Sequence, residues 1–496
     1  MALKISALQQ PGKHVSLVFF VFEGDDLALH PLAHFLDRDE QEYLRKVQKG
    51  FDLKEKELKV LFMPDTGRKV FVVVLGKKTE FSSAKAGLAT RIAVQAARKE
   101  KAKKFAFWVS PTGGARETRD FYEVVASNAV MANFEFIKYK TFSNGAPDFV
   151  EEIQAVSRVS DNNIDEGLRR GVMVGEEVNA CRELSNTPGA DMTPRLLALH
   201  AEKVLKPLGV KVVALDKKKM ESLNMGGVLG VASGSDEPPR FIVMEYMKGA
   251  KTEHPVVLVG KGVTFDTGGL NLKPSQHIYE MHMDMSGGAA VIHAIRAAAR
   301  LKLKKNIVGL IPAVENMPSG SSYRPGDVLK TMSGKTIEVM DTDAEGRVIL
   351  ADALEYAKKY DPSLVVDVAT LTGAAVVALG QRYSALFTAD KKLEDTFRRV
   401  GEETGDPVWP LPLMADYEEE IKGTFGDWAN IGKSRYGGAI TAAVFLWQFT
   451  KDSSGKSYPW VHLDIAPRMT AIEGEFLAKG AAGAPVRLLA RILEEM

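Results

Sequence analysis

A single cysteine, Cys181, stands in 496 residues, so no intramolecular disulfide can form and no thiolate-based zinc cluster can be built. The chain therefore reads as one suited to a reducing compartment. Surplus charge is lacking too. With 65 Lys+Arg against 64 Asp+Glu, the formal net charge is +1 and offers no global attraction to nucleic acid or an anionic membrane. Basic clusters at residues 98–104, 217–219 and 302–305 lie between apolar runs and read as solvated faces, so no nucleic-acid partner is expected. No apolar run reaches the roughly 18 clean residues that a membrane span requires. The longest candidate, residues 364–380, is interrupted by Asp367, Thr370, Thr372 and Gly373. The opening MALKISALQQPGKH lacks the apolar core of about 7 to 15 residues found in secretory signals, so a cytoplasmic protein without membrane contact is expected. The nine histidines include no HExxH pair, and there is neither an internal repeat nor a low-complexity segment.

What is present is an ordinary globular composition, 45% apolar, long enough for several domains. HVSLVFFVFE at 14–23, RKVFVVVLG at 68–76 and KFAFWVS at 104–110 are short apolar runs bounded by turn residues, as buried strands are. Helical spacing over 84–99 separates two of them, and a further strand is expected at 134–139. The first 162 residues thus read as an α/β domain with its own sheet, with SNGAPD at 143–148 as a loop and 151–159 as a last strand. Apolar residues Leu168, Val172, Val178 and Leu184 recur at helical spacing, predicting a connecting helix within 163–187 that stops at Pro188. Over 188–496 the alternation resumes, with helices at 194–205, 287–301 and 348–359 and strands at 210–215, 241–246, 255–260, 307–313 and 364–369. That pattern predicts a larger α/β domain with a mostly parallel central sheet, whose ligands bind at the carboxyl ends of strands.

The chemistry-bearing residues gather behind such strands. VVLVG at 256–260 is followed by KGVTFDTGGLNLKPS, which delivers Lys261, Asp266 and Lys273 to a strand end, with Gly268 and Gly269 allowing a tight turn. Asp284 lies in apolar surroundings just before a helix start at Ser286-Gly287-Gly288, where it also suits a helix cap. DTDAEGR follows at 341–347. If extended, its period of two brings Asp343, Glu345 and Arg347 to one side, with only Ala344 and Gly346 on the other. Four carboxylates in a partly buried setting need compensation, and two divalent cations about 3.5–4 Å apart, sharing carboxylates, supply it. A neutral lysine amine can be a metal ligand when burial and nearby cations lower its pKa, so one of Lys261 and Lys273 suits ligation and the other charge stabilisation. His282, two residues from Asp284, is the one histidine near this set.

VGKGVTFDTGGLNLKPS together with MDTDAEGRVILADAL resembles the two signatures of the cytosolic leucyl aminopeptidase family. The likeness continues through RELSNTP at 182–188, ATLTGA at 369–374, the NIG and GGAITAAVFL stretches at 430–446 and HLDIA at 462–466. It implies a smaller N-terminal α/β domain similar to macro domains, joined by a helix to a catalytic domain. It further implies that Lys261, Asp266, Asp284, Asp343 and Glu345 hold two metal ions, Mn or Zn with Mg and Co as alternatives, and that Asp266 and Glu345 touch both. Lys273 and Arg347 would be catalytic, Arg347 by holding a bicarbonate. Met281, Thr370, Gly373, Ala466 and Met469 would line the pocket for the first side chain. The implied activity is hydrolysis of the N-terminal peptide bond of peptide substrates, with leucine-like residues preferred, through a hydroxide bridging the metals, in a homohexamer. Three positions depart from the usual pattern: Thr267 for the common Ser, Asp341 for Asn, and Pro467 for Gly.

Overall fold

The structure, a computed structural model, describes residues 3–63, 66–110, 114–142 and 145–496. Ser143 and Asn144 of the expected loop lie outside the described residues, as do residues 64–65 and 111–113. The chain forms two compact units, Met1–Asn179 with Ala471–Lys479, and Ala180–Thr470 with Gly480–Met496. Among the described residues no helix is long and apolar enough to cross a membrane.

The first unit is built on a six-stranded sheet of β1 (Lys4–Leu8), β2 (Ser16–Val21), β3 (Leu58–Phe62), β4 (Lys69–Val74), β5 (Lys104–Trp108) and β6 (Glu152–Val156). Its order is β1-β6-β5-β2-β4-β3, parallel throughout except where β3 runs against β4. The run KVFVVV in β4 shows why such a strand is apolar at every position after its first residue, Lys69. Phe71 and Val73 join the core beneath helices Ser83–Lys99 and Ala115–Ala132, while Val70, Val72 and Val74 pack on the opposite side with Leu27, Leu32 and Leu44.

The strand expected at 134–139 does not form. The chain leaves the second of these helices at Asn133, whose side chain accepts from the Val150 amide at 2.9 Å and donates to the Val150 carbonyl at 2.8 Å, and a turn closes from Lys140 N to Ile137 O. Beyond that latch Phe136 and Ile137 are half-buried and lie outside any strand.

Helix Asn162–Ser185 carries the chain from the first unit into the second. It contains a pattern that periodicity of large apolar residues does not reveal: Gly167, Gly171 and Gly175 fall on one face. A Cβ at these positions would lie 2.3, 2.4 and 2.8 Å from the carbonyl oxygens of Arg119, Glu123 and Ser127 on the neighbouring helix. The glycines let two helix backbones approach closely.

The second unit contains β7 (Lys211–Leu215), β8 (Arg240–Met247), β9 (Val256–Gly260), β10 (Gly262–Asp266), β11 (Asn306–Asn316), β12 (Val328–Lys330), β13 (Thr336–Glu338), β14 (Leu364–Ala369), β15 (Ser384–Phe387), β16 (Val408–Pro410), β17 (Trp428–Ala429) and β18 (Trp460–Asp464). Nine of these form one mixed sheet of order β16-β15-β18-β14-β9-β11-β8-β7, with β10 also on β11. Its centre, β18-β14-β9-β11, is parallel, as the sequence pattern predicts. Strand β11 alternates between layers: Gly309 faces Ile295 of helix Ser286–Arg300, whereas Val308 and Leu310 join the core that includes Val348 and Leu354 of helix Glu345–Ala357.

The segment after β9, for which no strand is expected from the sequence, forms a second strand, β10. Residues Ile307–Leu310 of β11 pair with β9, and Ala313–Asn316 pair with β10. At the junction Lys261 leaves the ladder, its amide donating to Val368 O and its carbonyl accepting from Gly288 N. One long strand therefore supports two successive short ones and presents a functional side chain at the break and another at the end.

A candidate two-cation active site at the strand ends

The carboxyl ends of β9, β10, β11, β14 and β18 deliver Lys261, Asp266, Asn316, Thr370 and Asp464. Lys261 is almost fully buried, and its ammonium lies 2.7 Å from Asp284 Oδ2 and 2.7 Å from Glu345 Oε1, and donates to Thr370 O at 2.9 Å. Asp266 closes β10. Its Oδ1 accepts from Gly268 N and from Asn316 Nδ2, both at 2.8 Å, while Oδ2 lies 2.8 Å from Lys273 Nζ. Lys273 also pairs with Asp343. Each lysine thus bridges two carboxylates. Gly268 and Gly269, at φ +87° and +66°, make the turn that returns Lys273 to the strand end.

The DTDAEGR segment reaches the site differently from the extended reading. Asp341 Oδ1 accepts the Asp343 amide at 2.8 Å, an Asx turn, and helix Glu345–Ala357 begins at once, so Glu345 and Arg347 stand on its first turn. A short polar side chain that competes for local backbone favours that turn over an extended strand. The unusual Asp341 is thereby given a turn-forming role. Asp284 does not cap helix Ser286–Arg300, which has no side-chain cap; its Oδ1 instead accepts from Thr370 Oγ1 at 2.6 Å.

Carboxylate oxygens of Asp266, Asp343 and Glu345 all lie within 4.8 Å of one another. The crowding shows in their protonation. Burial, then the neighbouring Asp266 charge, pushes Asp343 up to about 7 despite Lys273. Asp284 is driven well above the usual carboxylate range, chiefly by burial, with Lys261 opposing and Glu345 and Asp266 adding to the rise. Burial alone would lower Lys261 and Lys273, but the surrounding acids outweigh it and raise both. Asp284 Oδ2 is held by the Lys261 ammonium at 2.7 Å. A buried carboxylate cluster with more negative charge than two ammoniums neutralise suits divalent cations.

Arg347 is buried, donates from Nη1 to Asn430 O at 2.9 Å and leaves Nε without a partner. Burial lowers its pKa to about 10, against the pull of Glu345 and Asp464, so it stays cationic at neutral pH. Of the expected pocket residues, Met281 is half-buried on the turn before Asp284, Thr370 is buried, and Gly373 is exposed at the start of helix Gly373–Leu379. Ala466 and Met469 are half-buried after β18. The last two segments are tied together: Asp464 accepts from Leu371 N and Ala466 N, each at 3.1 Å, and from Thr372 Oγ1 at 2.6 Å. His282 takes no part; burial lowers its pKa and its ring is engaged by the Tyr279 backbone.

Sequence patterning passes over three contributors. Asn316 orients Asp266 and donates to Thr342 O at 3.0 Å, and its only sequence signal is a polar residue ending an apolar strand. Asn430 accepts from Met340 N at 2.8 Å and donates to Asp341 O at 2.6 Å. Asp464 is the third.

Residues 179–490 match the catalytic domain of the cytosol aminopeptidase family and residues 18–143 its N-terminal domain. A probable cytosol aminopeptidase of Azoarcus sp. (strain BH72) is 42% identical over 479 residues, covering 94% of this chain and 93% of that protein. One of Methylibium petroleiphilum is 48% identical over 350 residues, covering 71% and 70%. Among solved structures, the bottromycin maturation enzyme BotP in complex with Mn aligns with a TM-score of 0.83 at 31% identity, over 97% of this chain and 99% of that one.

The hydroxyl of Thr370 donates to Asp284 Oδ1 at 2.6 Å, so Thr370→Val, which keeps the shape, should weaken divalent-cation retention by about 10- to 100-fold with the fold intact. Competition against a graded chelator measures this; an unshifted midpoint would show that the bond does not orient a ligand.

Proposed function

The chain belongs to the cytosol aminopeptidase family and is a metal-dependent aminopeptidase; on that premise we propose that it releases leucine-like residues from the N-termini of peptides in the cytoplasm. The observation that carries this reading is the meeting of Asp266, Asp343 and Glu345 within 4.8 Å, beside two lysines that each bridge a pair of carboxylates. Catalysis rests with residues 188–496. Lys261, Asp266, Asp284, Asp343 and Glu345 would hold two divalent cations, with Asp266 and Glu345 shared. Manganese is the first to test, given the Mn complex of BotP, followed by zinc, magnesium and cobalt. When bound, the pair would supply Lewis acidity and activate water as the nucleophile.

The protein's own groups do the rest. Lys273, kept cationic by its acidic neighbours and only partly buried, donates to the oxyanion that develops on the scissile carbonyl. Arg347 offers a guanidinium fork with an unspent Nε, which suits a planar bicarbonate acting as general base, a task the guanidinium cannot perform itself. Thr370, Gly373, Ala466, Met469 and Met281 would receive the first side chain. Pro467 fixes a φ in the turn Ala466–Arg468 and stiffens that wall.

Removing a shared ligand tests the assignment directly. Chelator-stripped protein should recover leucine release from leucyl amide on adding Mn or Zn and give none from the N-acetylated amide, while Asp266→Ala and Glu345→Ala should retain the fold and lose turnover. Normal turnover in both variants would sink the cation assignment. For Lys273, Lys273→Ala should lower kcat by a factor on the order of 100 or more with bound metal unchanged. Stoichiometric loss of a metal instead would mean that Lys273, not Lys261, is the ligand.

The proposal includes a homohexamer. Phe425 and Tyr436 are 85% and 74% exposed, large apolar surface that an assembly would cover, while Trp428 is half-buried in β17. Sedimentation at micromolar concentration should give about six times the 54.2 kDa chain mass; a monomer would overturn this part.

A further inference from the structure

The first unit contains a half-open cavity of about 190 Å³ that the catalytic chemistry does not use. It lies at the carboxyl ends of β2, β4 and β5, three neighbouring parallel strands, between the sheet and helices Ser83–Lys99 and Ala115–Ala132. This is where open α/β sheets bind ligands. Its wall is aromatic. Phe22 meets Phe81 edge-on at 5.3 Å, Phe81 meets Phe121 at 6.0 Å, and Phe20 meets Phe107 edge-on at 5.9 Å, with Trp108 and Tyr122 beside them. Phe20, Phe22, Phe81, Trp108 and Phe121 remain part-exposed, although the layer they border is otherwise closed.

The polar groups of the wall are largely spent. Tyr122 OH donates to Ser110 O at 2.6 Å and accepts from Ser110 N at 2.8 Å, and Thr90 OH donates to Ala86 O at 2.8 Å. Among the described residues no lining residue is charged. A charged ligand would lose its hydration without replacement, whereas an aromatic one would gain apolar contact and edge-to-face geometry. The volume sets the size: an apolar cavity of about 150 Å³ accommodates benzene, so this one takes one ring or two fused rings.

We propose that this cavity is a binding site for an uncharged aromatic small molecule of one or two rings, separate from the aminopeptidase centre. Indole is the probe, with tryptamine and indole-3-acetate as its cationic and anionic counterparts. Saturation-transfer NMR on the full chain should show saturable indole binding at least tenfold tighter than either charged analogue. Ala86→Leu and Val125→Phe each fill the cavity from a different helix. Either should weaken indole binding at least tenfold while leaving leucine release unchanged, the second serving if the first does not fold. No saturable binding would overturn the proposal. So would equal binding of a charged analogue, or indole binding that persists in a folded filling variant.

Discussion

Mutual repulsion among buried carboxylates is the constraint on which the catalytic unit depends. Like charges about 4–5 Å apart repel by about 3–4 kcal/mol per pair at an effective dielectric near 20. Asp266, Asp343 and Glu345 are held at that spacing, with Asp284 reached through Lys261. Burial raises Asp343 and Asp284, and the neighbouring carboxylates add to that rise against the pull of Lys273 and Lys261. The site is thus organised to take further positive charge, and the packing around it serves to keep the acids from separating.

The backbone achieves this by stacking two short strands on one long one. Because β11 runs for 11 residues, it pairs with β9, continues past the break at Lys261 and then pairs with β10. Lys261 is released into the interior at the break, Asp266 is carried one strand further, and Asn316 at the end of the same strand fixes the Asp266 carboxylate. The opposite wall comes from the turn at Asp341 and the helix it starts. A shift in any of these pairings would separate side chains that lie far apart in sequence.

The expected side-chain pocket is linked to this cluster by Thr370, whose hydroxyl holds Asp284 and whose carbonyl receives Lys261. Asp464 extends the link to the segment after β18. Below it, the β14–β18 pair contains a buried Asp367–His462 contact of 2.5 Å, with Trp460 Nε1 donating to the same carboxylate at 2.6 Å. Burial would lower the His462 pKa, but Asp367 outweighs it and raises it, so the two form a charge-assisted pair inside the sheet. The register of the strands that carry the pocket thereby rests on polar as well as apolar contacts.

The sequence alone determined the α/β alternation, the central parallel strands and the acids and lysines that gather at the candidate site. Buried strands announce themselves as unbroken apolar runs, and acids and lysines set among glycines and apolar neighbours have few structural explanations. Helix 194–205 and strand 364–369 are legible in this way to the residue, as Pro194–Leu205 and Leu364–Ala369. Tertiary structure decided what local pattern does not encode. The hydrophobic stretch 134–139 became a turn because Asn133 latches to Val150, and DTDAEGR folded into an Asx turn and a helix because Asp341 captures a nearby amide. Residues 262–266 became a strand because the second half of β11 was available to pair with them. Asn316, Asn430 and Asp464 carry no periodic signal; each acquires its role from a partner at least 26 positions away in the chain, brought close only when the sheet and its helices assemble.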